Sequence, residues 1–182
     1  MKDFMDINRR RWDESVAIHV NSKTGVYALD DFRAGQDALL PIEAEEIGDI
    51  DGKRLIHLQC HFGLDTLCLA RRGARVTGLD YSGAAITAAR DLAAETGIAA
   101  AFVESDVYRA AEVLSGPFDV VYVSWGALNW LPDITRWAEV VAALLAPAGF
   151  IYLLEGHPAA MTLEQMENGH LQPCYPYFHC TA

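Results

Sequence analysis

The chain lacks any apolar run approaching the ~20 residues that span a bilayer, although apolar residues make up 52% of its 182 positions. Its N-terminus, MKDFMDINRRRWDE, mixes both charge signs and lacks the apolar stretch of an export signal. A cytoplasmic protein with no membrane partner is expected. Basic residues are scarce: 14 Lys and Arg against 25 Asp and Glu, for a net charge of −11. Such a chain repels phosphate backbones, which makes nucleic acid a poor partner. Its basic cluster, Arg9-Arg10-Arg11, splays around a helix as solvated surface. Cysteine is limited to Cys60, Cys68, Cys174 and Cys180, with no C-x-x-C spacing, so reduced thiols are expected. His170, Cys174, His179 and Cys180 match no zinc spacing, Pro173 and Pro176 interrupt them, and no metal is expected.

What is present is organised around Lys53 to Ser82, KRLIHLQCHFGLDTLCLARRGARVTGLDYS. Leu55 to Leu58 has the length of a buried strand. The loop Gln59-Cys60-His61-Phe62-Gly63 follows, then a helix from Leu64 to Arg72 that stops at Gly73. Arg75 to Leu79 is a second strand with Asp80 at its carboxyl end. A strand–loop–helix–strand unit of this kind joins two parallel strands by a right-handed crossover. An acid at the tip of the second strand is where nucleotide-binding α/β folds hold a ribose.

Before this unit, residues 3 to 19 read as a helix with Phe4, Ile7 and Trp12 inward. Asn21 to Asp31 reads as a loop holding Tyr27, and Phe32 to Ile47 as a second helix despite Pro41. After it, Ser82 caps an alanine-rich helix that ends at Gly97. Three more strands are expected at Ala99 to Val103, Phe118 to Val123 and Phe150 to Leu154, with a short helix at Ala110 to Leu114. Asp133 caps a further helix, with Ile134, Trp137, Ala138, Val141, Leu144 and Leu145 as its buried stripe. Alternating strands and helices predict an α/β fold, a three-layer sandwich around a mainly parallel sheet of five recognisable strands. Residues 1–52 form an N-terminal helical cap, 53–156 the core, and 157–182 an irregular tail.

This order of elements resembles a class I S-adenosylmethionine-dependent methyltransferase over roughly residues 53 to 156. The residues that carry the resemblance are HLQCHFG, GLDYS, ESDV, FDVVYVSWGALNWLPD and LLAPAGFIYLLEGHP, in that order. The first loop departs from the family's acid-x-Gly-x-Gly-x-Gly. His57 replaces the acid, Gln59 and His61 replace two glycines, and Gly63 remains. Glycine tolerates positive φ and lets a ligand approach the backbone, so the usual loop geometry is not assured. A subset of bacterial methyltransferase-like sequences is similar here, with a QCHFG-type loop. The family fold continues into two more strands, whereas this sequence runs 26 residues past Gly156. A truncated product with an exposed apolar sheet edge, or a five-stranded member, is expected.

The resemblance implies a Rossmann-like core that binds S-adenosylmethionine and passes its methyl to a small-molecule acceptor by in-line displacement. Asp80, with Tyr81 beside it, would serve the ribose; Asp106 would accept from the adenine amino group and Val107 would add a backbone contact. Gly63 would permit close approach, and Gln59 and His61 would either meet the methionine carboxylate or satisfy the loop. Ser124 and Trp125, past the fourth strand, lie where the methyl is expected, with Trp130 as a second aromatic wall. Tyr27 and Trp12 would close the cofactor from the N-terminal side. His57 reads first as a hydrogen-bonded core residue and Cys60 as a packed thiol. A general base is not legible; His157 is the candidate by position, with Glu155 beside it. A non-catalytic or truncated domain that binds cofactor without turnover is the alternative. A nicotinamide-dependent oxidoreductase wants G-x-G-x-x-G, absent from QCHFGLD, and an α/β-hydrolase wants G-x-S-x-G, absent from YVSWG.

Overall fold

Apolar strands separated by helices must be covered on both faces. In the computed structural model, which describes residues 2–22, 27 and 29–178, the two central strands are. The helices α1 (Lys2–Val20), α2 (Leu29–Arg33) and α3 (Pro41–Glu46) precede β1 (Arg54–Leu58). Then follow α4 (Leu64–Arg71), β2 (Arg75–Asp80), α5 (Gly83–Thr96), β3 (Ala101–Glu104), α6 (Ala110–Val113), β4 (Phe118–Ser124), α7 (Ile134–Leu144) and β5 (Leu145–Leu154). The five strands form one parallel sheet in the order β3-β2-β1-β4-β5.

Two cores flank the sheet, and the period-two alternation of β1 and β4 feeds both. Leu55, Val120 and Tyr122 enter one with Phe32, Phe62, Leu67 and Ile86. Ile56, Leu58, Val121 and Val123 enter the other with Trp137, Val141 and Leu144. This is the three-layer α/β sandwich expected from the alternation.

Several elements differ from the sequence reading for identifiable reasons. The helix expected over Phe32 to Ile47 is two short ones: Gly35, at φ 99°, follows the end of α2, and Pro41 takes the first position of α3. Of the expected loop Asn21 to Asp31, residues 23–26 and 28 lie outside the described residues, and Leu29 to Asp31 are already helical. On α1, Phe4 and Ile7 are 49% and 59% exposed, while Asn8 and Val16 are buried. The inward positions are therefore 8, 12 and 16, four apart, and a buried asparagine hides that stripe. Asn8 donates from Nδ2 to the Trp130 carbonyl at 3.3 Å.

On α7 the buried stripe is Trp137, Val140, Val141 and Leu144; Ile134 and Ala138 are exposed and Leu145 already belongs to β5. β5 starts five residues before the expected Phe150 and absorbs Ala146 to Gly149 as an irregularity opposite Phe118 to Val120. Beyond it, a 3-10 turn and a separate antiparallel pair, β6 (Leu163–Gln165) and β7 (Leu171–Pro173), replace the expected irregular tail. β5 is the edge of the main sheet among the described residues, and Phe150, Ile151 and Leu153 on it are 39–42% exposed. His179 and Cys180 lie outside the described residues.

Gly63 is where α4 meets the rest of the fold. Its φ is +78°, and an added Cβ would fall 2.7 Å from the Phe102 ring on β3 and 2.9 Å from Ala89 on α5. The close approach it permits is thus between elements of the chain. Gly63→Ala is expected to cost about 2–4 kcal/mol, from left-handed strain plus overpacking, read as a lowered midpoint in urea unfolding.

Candidate functional site

The strand order reverses between β1 and β4, and a ligand crevice belongs outside the carboxyl ends of strands at such a point. A cavity of about 430 Å³ opens there, within the ~300–1,000 Å³ of small-molecule sites. Its walls are the β1–α4 loop, Asp80-Tyr81 after β2, Ser105 to Val107 after β3, and Ser124 to Ala127 after β4. Trp12, Tyr27, Leu40 and Glu43 close it from the N-terminal elements. All nine residues that the sequence marked as cofactor-contacting line this one cavity.

The loop that lacks two glycines still takes a left-handed path. Gln59 and His61 have φ of 57° and 50°, at a cost of roughly 1–2 kcal/mol each. Side chains offset that cost by tying the loop to three neighbours. Gln59 donates from Nε2 to the Ala127 carbonyl at 2.8 Å. The His61 ring nitrogen Nε2 is hydrogen-bonded to His19 Nδ1 at 2.8 Å. The His61 backbone N–H donates to Asp80 Oδ2 at 2.8 Å. Burial pushes the His61 ring down to about 3, and His19 adds to the shift, so this pair is neutral. Gln59 Oε1 is buried and has no partner among the described residues.

Asp80 joins the loop to the next helix. Its Oδ1 accepts the Ser82 N–H at 2.9 Å, its Oδ2 the His61 N–H, and it is 7% exposed. Burial pushes its carboxyl up to about 6, opposed by the backbone N–H bonds and reinforced by nearby Asp13. Ser82 donates to Asp13 of α1 at 2.5 Å and caps α5 through the Ala85 N–H. The Tyr81 phenol is raised by burial and by Asp80. Asp106 accepts the Tyr108 N–H at 3.0 Å and so caps the 3-10 turn that buries Val107. Arg9, expected as solvated surface, is half-exposed and paired to Glu104 at 2.6 Å.

Across the cavity Trp125 is 56% exposed at φ 34°, and Ser124 is buried. Trp12 packs edge-on against both His61 and Trp130, with ring centroids 5.1 and 5.4 Å apart. It bridges the first loop and the β4 loop.

His157 is not brought to this site. It is exposed, accepts the Ala159 N–H at 3.1 Å, and does not line the cavity. Glu155 accepts the N–H groups of Gly126 and Leu128 at 2.6 and 2.9 Å and so holds the β4 loop in place. His57 is 2% exposed, bonded through Nδ1 to Thr66 at 2.9 Å, and held down to about 3 by burial. Cys60 is 4% exposed with a thiol raised by burial and by Asp80.

The sequence reading missed Asp65 and Glu43. Asp65 sits in the first turn of α4, where an acid looks like ordinary helix-dipole chemistry. It lines the cavity, accepts from Ser124 Oγ at 3.2 Å, and is pushed up to about 7 by burial and by Glu43. Glu43 is 2% exposed; it accepts the Leu40 N–H at 2.9 Å and the Tyr122 hydroxyl at 2.7 Å. The Pro41 start signal, followed by an acid two residues later, was its only trace.

The chain belongs to the methyltransferase-domain family, whose pattern matches residues 56–151. It is 36% identical over 118 residues to a ubiquinone biosynthesis O-methyltransferase of Nitrosococcus oceani, covering 62% of this chain and 48% of that protein. It is 32% identical over 109 residues to the protein so named in Cronobacter sakazakii, covering 60% of this chain and 44% of that one. The chain thus spans under half the length of the curated relatives it matches. Among solved structures, an S-adenosylmethionine-dependent methyltransferase from Mesorhizobium loti superposes with a TM-score of 0.59 at 27% identity, over 67% of this chain and 55% of that one.

The buried groups set a pH dependence of stability. Asp65 and Asp80 have raised folded values, about 7 and about 6, so the folded state takes up their protons before the unfolded chain does, and stability grows as pH falls through them. His57 and His61, near 3, act oppositely, starting about a unit above the ordinary histidine value of about 6.5, where the unfolded chain begins to take up their protons. The stability of the wild type relative to Asp65→Asn is therefore expected to grow as pH is lowered from about 8 to about 6.5, as read by urea titrations of both across that range.

Proposed function

We propose that the cavity binds S-adenosylmethionine and that the protein transfers its methyl group to a small-molecule acceptor. The observation that carries this reading is Asp80. Two backbone N–H groups fix its carboxylate at the cavity wall, and each oxygen keeps a lone pair for a ribose hydroxyl. Gln59 Oε1 and His57 Nε2, buried without partners among the described residues, support it further, because such atoms call for a polar ligand. Family membership and the relatives' names point the same way.

When bound, S-adenosylmethionine supplies a methyl on a sulfonium that is already activated for displacement. The chain's own residues then have three tasks. Asp80 holds the ribose, and Asp106 with the Val107 backbone holds the adenine end. Gln59 and His61 lie at the methionine end. Ser124, Trp125 and Trp130 flank the acceptor side, where aromatic faces favour the cation and exclude water while the nucleophile is aligned. Among the described residues no Lys or Arg lines the cavity, which suits a small acceptor better than a polyphosphate one.

Calorimetry with S-adenosylmethionine and S-adenosylhomocysteine tests the reading, and the folded protein is expected to bind both. Asp80→Asn, checked for folding by thermal melt, should weaken both by about 10- to 100-fold, from the ~1.5–3 kcal/mol of hydrogen bonds to a charged acceptor. No heat from either ligand would remove the reading. Binding with no transfer to any acceptor would leave a cofactor-binding domain without turnover.

A further inference from the structure

The charged lining of the cavity has a single sign. Glu43, Asp65, Asp80 and Asp106 face it, and no Lys or Arg does among the described residues. The two histidines that line it are neutral, both held near 3 by burial. The acids fall into two pairs. Asp80 and Asp106 follow β2 and β3, at the end read above as the adenosine site. Glu43 and Asp65 lie at the β4 end, beside Tyr122 and Ser124.

Each Glu43 oxygen accepts a bond, one from the Leu40 N–H and the other from the Tyr122 hydroxyl. On Asp65 the bonding is one-sided: Ser124 bonds its Oδ2, and no described residue bonds its Oδ1. The same cavity wall carries His57, 2% exposed and packed against Tyr122, with Nε2 unpartnered among the described residues. This end therefore offers a carboxylate oxygen that no described residue bonds, backed by a second carboxylate, and among the described residues no Lys or Arg lines the cavity to balance it. A poorly solvated negative charge of this kind is relieved by an incoming positive one.

We infer that Asp65, reinforced by Glu43, makes the sulfonium end of the cavity cation-selective, so that the site holds charged S-adenosylmethionine and lets go of the neutral thioether S-adenosylhomocysteine. The inference rests on the proposed function, since it assigns a role at the same site. Methyl transfer removes the ligand's positive charge, and that loss becomes the signal for product release.

The groups facing Asp65 are Glu43 of α3, Asp37 before it, Tyr122 of β4, Tyr27, Cys60 and Cys68. The tyrosines and thiols are raised by burial, while burial and Glu43 push the Asp65 carboxyl up to about 7. Asp80 titrates lower, near 6, and faces the ribose that all the probes below share.

The test is calorimetry on the full chain with S-adenosylmethionine, S-adenosylhomocysteine and sinefungin, which carries an ammonium group where the methylsulfonium stands. At pH 8 the two cations are expected to bind at least tenfold tighter than S-adenosylhomocysteine. The ratio should fall toward one as pH is lowered to 6, and Asp65→Asn should bring it to within about threefold of one at pH 8. If Asp65→Asn does not fold, the pH dependence of the wild-type ratio decides. Equal or tighter binding of S-adenosylhomocysteine at pH 8, or a ratio that ignores both pH and Asp65→Asn, overturns the inference and leaves the proposed function standing. Failure of the wild type to bind any of the three overturns both.

Discussion

The carboxylate of Asp80 is the joint on which the site depends. It takes the His61 N–H from one loop and the Ser82 N–H from the start of α5. Two segments that follow different strands are thereby locked in one geometry. Without that acceptor, His61 has little reason to keep a positive φ, and the loop has no glycine at 59 or 61 to take the path freely. The carboxylate itself stays partly charged in a buried setting only because backbone donors offset the desolvation. Loop shape and helix start are two consequences of one group.

A second layer of support comes from far along the chain. Asp13 reaches Ser82, His19 reaches His61, and Trp12 spans from His61 to Trp130. The first helix is thus part of the site and not merely a cover over it. Glu43 and Glu155 act likewise from α3 and from the end of β5, each fixing a segment through its backbone N–H groups. Polar residues that a sequence presents as surface are here spent on holding loops in place.

That division explains what could be read from the sequence. The sheet was legible because β1 is apolar but for Arg54 and His57 and β4 but for Asp119 and Ser124, and because Gly73, Gly97 and Asp133 punctuate the helices. The place of Asp80 and Asp106 in the cavity wall was legible because both stand at strand tips, where topology alone brings them to the crevice. The N-terminal half was less so. Its stripe on α1 runs through Asn8, and Pro41 starts a helix instead of sitting inside one. Asp65 and Glu43 were invisible since an acid in the first turn of a helix has an ordinary explanation, and nothing local reveals that α3 folds back onto β4. His157 showed the converse: position past a strand end suggested a base, but the backbone turns there and uses its ring as a cap.

Trp12 carries a kinetic consequence. Its ring bridges the two loops on either side of the crevice, so a ligand passing between them has to part an aromatic contact first. Exchange along that route would then follow the fraying of the first helix, and the dwell time of a bound molecule would be set by a segment whose sequence looks like a plain charged leader.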